Sequence, residues 1–168
     1  MPKKTNALRE SAEDKLGRES FIALFLASGK LVAEVEALCR EEQITMSHYT
    51  VLWFLARRRE REGVPMGAVI DGHLNRASDS TRLADRLTAL GMIERLASEA
   101  DRRVVLVRLT ARGRDAYLRL TRRIQALHRQ QWSGLSHTEL RDLRRLLVTV
   151  LGEDASSAKL KALAAGNG

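Results

Sequence analysis

Apolar residues recur at three- and four-residue steps through residues 19–42. Phe21, Leu24, Phe25, Leu31, Val35 and Leu38 fall along one side and predict a long helix, weakened but not ended by Gly29. A second helix is expected after Thr45 or Ser47, either of which can cap it, and it carries Val51, Leu52, Phe54 and Leu55. The charge run Arg57–Glu62 closes it, and Gly63-Val64-Pro65 breaks the chain. Residues 66–74 are the least defined stretch, because Gly67 and Gly72 are poor helix formers. A better helix is predicted from about Ser78 to Leu90, with Leu83, Leu87 and Leu90 as its apolar stripe and Gly91 as its stop.

The period then changes. Met92–Leu96, a polar loop from Ala97 to Arg102, and Val104–Leu109 read as a β-hairpin, the second arm being rich in β-branched residues. Thr110 is placed to cap a long helix running to about Trp132, with Tyr117, Leu120, Ile124 and Leu127 on one face. Ser136-His137-Thr138-Glu139 matches a capping box and opens a last helix carrying Leu140, Leu143, Leu147, Val150 and Leu151. The expected class is mainly α: a winged helix-turn-helix with a two-stranded hairpin wing, and an all-helical dimerisation region made by the N- and C-terminal helices. The expected limits are a flexible arm over 1–18, helical dimerisation segments over 19–45 and 111–151, a DNA-binding domain over 46–110, and a tail over 152–168 that is disordered or a short helix.

This order gives the helix at 78–90 a job. With its leucines turned inward, Ser78, Thr81, Arg82 and Asp85 occupy the opposite face and Arg86 its flank, a set able to hydrogen-bond phosphates and base edges in a major groove. Asp101-Arg102-Arg103 sits at the hairpin tip, where a wing reaches a minor groove whose negative potential attracts Arg. Asp101 is positioned to brace one Arg through an ion pair while the other reaches out. Charge agrees with this. The net charge of the chain is +8, and residues 102–129 hold nine Arg against the single acid Asp115, so that stretch accounts for the whole excess.

Composition narrows the alternatives. Apolar residues make up 44% and charged residues 30%, which fits a folded rather than a disordered chain. No apolar run is long enough to span a bilayer and no signal peptide is visible, so a cytoplasmic protein without a membrane partner is expected. Cys39 is the only cysteine, which excludes an intrachain disulfide and suits a reducing compartment. His48, His73, His128 and His137 are scattered without the spacing of metal ligands, so no metal and no cofactor is expected. No phosphate loop, nucleophile elbow or carboxylate pair appears, which argues against an enzyme.

Two segments carry a family resemblance. Leu83-Ala-Asp-Arg-Leu-Thr-Ala-Leu-Gly-Met-Ile-Glu-Arg95 and Asp101-Arg-Arg-Val-Val-Leu-Val-Arg-Leu-Thr-Ala-Arg-Gly113 resemble the MarR family of transcriptional regulators, whose Asp-x-Arg wing and Leu-Thr-x-x-Gly turn read here as Asp101, Arg103, Leu109, Thr110 and Gly113. The resemblance implies a homodimeric repressor straddling a pseudo-palindromic operator in double-stranded DNA. It implies major-groove contacts from Ser78, Asp79, Ser80, Thr81, Arg82 and Arg86, and wing contacts from Arg102 and Arg103. It also implies a small-molecule effector, typically a phenolic or other aromatic anion, in a crevice bordered by the start of the second helix, where His48, Tyr49 and Trp53 are the pocket candidates. A peroxide-sensing branch of the family is similar near Ala23–Ser28, but its reactive cysteine falls at Phe21 here, and Cys39 reads instead as a small buried hydrophobe. The alternative from another class is a winged-helix interaction module, or a DNA-binding protein without sequence preference or effector.

Overall fold

In the computed structural model the described residues are 11–58, 63–72, 80–101 and 103–152. The Ser11 hydroxyl accepts from the Asp14 N–H at 3.0 Å, and the Asp14 carboxylate accepts from the Ser11 N–H at 3.2 Å, which caps the first helix. That helix, α1, therefore runs Ala12–Glu41. The expected arm over 1–18 is corrected for residues 12–18, whose two apolar residues, Ala12 and Leu16, are too few to show the period of a helix held by its cap.

The chain divides into two compact units, Met1–Glu34 and Val35–Gly168. In the first, the α1 side chains Phe21, Phe25 and Leu26 are 68%, 66% and 64% exposed, and the Phe21 and Phe25 rings stack with centroids 6.3 Å apart. The second unit holds the last turns of α1, then α2 (Met46–Arg58), β1 (Val64–Pro65), α3 (Met66–Gly72), α4 (Ser80–Ala89), β2 (Ile93–Ala97), β3 (Val105–Leu109), α5 (Ala111–Gln131) and α6 (His137–Leu151).

The core of this unit joins Val35 and Cys39 of α1, Leu52 and Leu55 of α2, Val69 of α3, Leu87 of α4, Val107 of β3, and Leu120 and Ile124 of α5. Of these, Val35, Leu52, Leu55, Leu87, Leu120 and Ile124 are positions whose periodicity predicted the helices. The sheet has three antiparallel strands in the order β1-β3-β2, not the two expected. Val64 and Pro65 pair with Val107 and Leu106 as a short edge, a place where proline's missing N–H is tolerated, so a chain break in sequence proves to be a strand. α3 forms over residues 66–72 despite its two glycines, and Val69 anchors it in the core. Among the described residues no helix is long and apolar enough to cross a membrane.

Candidate nucleic-acid interface

α4 is held at its C-terminal end by a set of backbone bonds that the sequence motif encodes. Gly91 adopts a left-handed φ of 67°, its N–H donates to the Thr88 carbonyl at 2.9 Å, and the Met92 N–H donates to the Leu87 carbonyl at 2.9 Å. This is the Schellman ending, with Leu87 and Met92 both buried beside it. The start of α5 then locks onto the same turn. Thr110 N–H donates to the Met92 carbonyl at 3.1 Å, and its hydroxyl donates to the Gly91 carbonyl at 2.7 Å while accepting from the Gly113 N–H at 3.0 Å. Gly113 passes so close to Met92 that a Cβ there would lie 2.7 Å from the Met92 carbonyl carbon. Leu-Thr-x-x-Gly is thus a joint between the end of α4, the base of the hairpin and the first turn of α5.

The outer face of α4 carries exposed Thr81, Arg82, Asp85 and Arg86, while Ala84 and Leu87 are buried and Leu83 is half-buried. Ser80 opens the helix; Ser78, assigned to this face by sequence, and Asp79, a contact the family resemblance implies, lie outside the described residues. Asp85 is engaged by β2: its carboxylate accepts from the Arg95 guanidinium at 2.6 Å. This ion pair ties helix to hairpin and neutralises an acid on an otherwise cationic face.

In the hairpin, Glu94 and Arg108 stand opposite each other and pair at 2.7 Å. At the tip, the Ser98 N–H donates to the Val104 carbonyl at 3.1 Å and the Asp101 carboxylate accepts from the Arg103 main-chain N–H at 2.9 Å. Asp101 therefore braces the turn through the backbone of Arg103, since two residues apart in a tight turn the carboxylate meets the N–H. Arg103 is exposed, and Arg102 lies outside the described residues.

The three pocket candidates are placed apart in function. His48 uses Nδ1 at the start of α2, where it accepts from the Thr45 N–H at 3.1 Å. Trp53 lies under the Arg57 guanidinium, 4.8 Å from the ring centroid. Tyr49 reaches α5, where its hydroxyl lies 3.1 Å from the Thr121 hydroxyl and its ring stacks on Tyr117 with centroids 6.2 Å apart. Burial pushes the Tyr49 phenol above its ordinary pKa, against the opposing hydrogen bond from Thr121. Cys39 is fully buried, and burial, with Glu36 adding to it, pushes its thiol up to about 11. An apolar groove of about 610 Å³ runs along α6, lined by Trp132, Leu140, Leu143, Leu147 and Leu151 together with Arg141 and Arg144; none of the three candidates lines it.

Reasoning from sequence placed Asp85 on the outer face of α4 without finding its partner, and it missed the Tyr49–Tyr117–Thr121 group. Arg95 occupies the β2 face that looks back at α4, which period-two alternation shows only once the strand register is known. Tyr49 and Thr121 are separated by 72 residues, and no local pattern signals such a pairing.

A capped helix presenting a cationic face, locked by its C-terminal turn to an antiparallel hairpin with an Arg-bearing tip, defines a winged helix-turn-helix protein. The chain is MarR-like in form. It aligns with a MarR-like transcription regulator from Bacillus cereus ATCC 10987 with a TM-score of 0.70 and 18% identity, covering 80% of this chain and 95% of that one. A MarR transcription factor from Planctomyces limnophilus aligns with a TM-score of 0.61 and 29% identity, over 77% of this chain and 93% of that one. A mutant MarR from E. coli complexed with operator DNA gives 0.67 and 25%, over 82% of this chain and 94% of that one. No protein-family model and no curated protein matches the sequence.

Proposed function

We propose that this chain is a sequence-specific, DNA-binding transcriptional regulator that acts as a homodimeric repressor. The observation that carries the reading is the joint around Gly91, Met92, Thr110 and Gly113, which fixes the exposed Thr81, Arg82 and Arg86 of α4 against the hairpin bearing Arg103. Two polar elements held at a set separation suit one major groove and the adjacent minor groove. The E. coli MarR structure with operator DNA supports the same partner by likeness of fold. In this reading residues 46–110 are the DNA-binding domain, and 19–45 with 111–151 form the dimerisation region. Ser78, Asp79, Ser80 and Arg102 complete the contacts.

The dimer is supported by apolar surface that a single copy leaves uncovered. No residue of α6 is buried, with Val150 76% and Leu146 52% exposed, and Phe21 and Phe25 of α1 are as open. A two-fold partner is the commonest cover for such faces. The effector in this reading is an aromatic or phenolic anion that meets the Tyr49–Tyr117 stack, with His48 and Trp53 beside it on α2. It acts by favouring a dimer whose α4 helices are wrongly spaced, weakening DNA binding by a coupling free energy of about 1–3 kcal/mol.

The test is a competition shift assay on DNA upstream of the protein's own gene, at fixed salt. Upstream fragment should displace the bound probe at far lower concentration than unrelated duplex, and a hydroxybenzoate should lower the affinity of the complex. Equal displacement by both competitors would leave a non-specific DNA coat or a protein-interaction module in place of the regulator.

A further inference from the structure

The junction between α1 and α2 is held in a way that neither the wing nor the aromatic group explains. Gln43 sits at a left-handed φ of 60°, a conformation that costs a side-chain-bearing residue what a glycine avoids. It closes α1 as a Schellman turn, with the Gln43 N–H donating to the Arg40 carbonyl at 2.9 Å and the Ile44 N–H to the Cys39 carbonyl at 3.2 Å. The two acids at that end of α1 are then gripped from α5. Arg119 forks onto Glu42 with both contacts at 3.0 Å, and Arg123 forks onto Glu41 at 2.6 and 2.9 Å. Arg119 and Arg123 are one helical turn apart and bite consecutive carboxylates, so the two forks resist both sliding and rotation of the turn. On the far side, the Glu36 carboxylate accepts from the Met46 N–H at 3.1 Å, tying the first turn of α2 back to α1.

α5 thus holds both ends of the DNA-binding segment. Its first turn carries the end of α4 through Thr110 and Gly113, and two to three turns later its arginines carry the entry to α2. α2 in turn packs on both α4 and α5. We propose that the Glu41–Arg123 and Glu42–Arg119 forks are a latch that positions α2, and through it α4, on α5, making these four side chains positioning residues for operator recognition. The forks are solvent-accessible, with the Arg119 and Arg123 side chains 56% and 44% exposed. Such pairs are weak enough to open and re-form, which suits a latch whose closed state the strained Gln43 turn opposes. The proposal rests on the reading of the chain as a sequence-specific DNA binder.

The sign of the electrostatic effect makes the test decisive. Glu41→Gln with Glu42→Gln removes two negative charges, and general attraction to the phosphate backbone then strengthens binding to any duplex. A latch predicts the opposite for operator alone. With the full-length double variant, the ratio of affinity for upstream operator to affinity for unrelated duplex should fall by at least about fivefold, with binding to unrelated duplex unchanged or tighter. Exchanging the charges, Glu41→Arg and Glu42→Arg with Arg119→Glu and Arg123→Glu, should restore the ratio. A ratio unchanged within about twofold overturns the proposal. Hydrogen exchange on the DNA-free protein reads the latch independently. The Gln43 and Ile44 amides should exchange about tenfold faster in the Gln variant, and unchanged protection would also overturn it. Absence of any operator preference in the unaltered protein would refute the proposed function, while the exchange measurement still decides the latch.

Discussion

Gly113→Ala is the substitution whose consequence the structure sets most sharply. An added Cβ overlaps the Met92 carbonyl oxygen and lies 2.7 Å from its carbon and 3.1 Å from its Cα. All three are backbone atoms, so no side chain can swing aside. The first turn of α5 must back away, at an overpacking cost of about 1–3 kcal/mol. Moving it stretches the Thr110 N–H bond to Met92, 3.1 Å, and the hydroxyl bond to Gly91, 2.7 Å. Each is worth about 1 kcal/mol net. Against this, alanine is favoured over glycine within a helix by about 1 kcal/mol. The balance is a loss of about 2–4 kcal/mol. In urea, with m near 2 kcal/mol/M, the unfolding midpoint should fall by about 1–2 M at unchanged m. Variant and parent are compared at one protein concentration because, in the proposed dimer, association would contribute to stability. Gly67→Ala is the control, because nothing lies within 4 Å of its Cβ position. It should hold or raise the midpoint. A Gly113→Ala protein as stable as its parent would refute the joint between α4, the hairpin and α5.

Other substitutions test separate parts. Gln43→Gly relieves the left-handed φ of 60° and should stabilise the protein by about 1 kcal/mol in the same urea assay; a lower midpoint would show that the Gln43 side chain contributes more than the backbone costs. Glu139 accepts from the Ser136 hydroxyl and N–H, which hold its carboxyl below the ordinary value, so its contribution is complete above the usual carboxylate range and is lost as pH falls through the lowered pKa. Ser136→Ala should cost about 1 kcal/mol and flatten that acid limb of stability, read by urea titrations at pH values from neutral down through the carboxylate range. With its thiol at about 11, Cys39 should react with iodoacetamide at pH 8 about two orders of magnitude more slowly than a free cysteine until the protein unfolds; rapid labelling of the native protein would contradict its burial. Val150→Arg places a charge on a side chain 76% exposed in the single chain and should shift sedimentation from the proposed dimer to monomer; an unchanged dimer would exclude that face of α6 from the interface.

Much of this architecture was legible in the sequence because local rules dominate it. The capping box at Ser136, the Thr110 cap and Gly91 at the helix stop are each decided within four or five residues, and the leucine stripe of α4 within about two helical turns. What escaped depends on register or on distance along the chain. β1 is two residues long and borrows its partners from β3, so no alternation announces it. The start of α1 has only Ala12 and Leu16 as apolar residues over 12–18, too few to show a period, and is capped by Ser11 and Asp14. In the site, the exposed residues of α4 and Arg103 were readable from helical period and turn position. The Asp85–Arg95 pair and the Glu41 and Glu42 forks join elements that only tertiary packing brings together.

The central claim is that two copies of the α4–wing unit read DNA as a symmetric pair. Selection of bound duplexes from a random library by the full-length chain, followed by sequencing, tests it most directly. The account predicts an enriched two-fold-symmetric motif with half-site centres about 10 bp apart, whose enrichment drops several-fold with Arg103→Ala. Retention of the library without any enriched motif, or of a single asymmetric half-site, would contradict it.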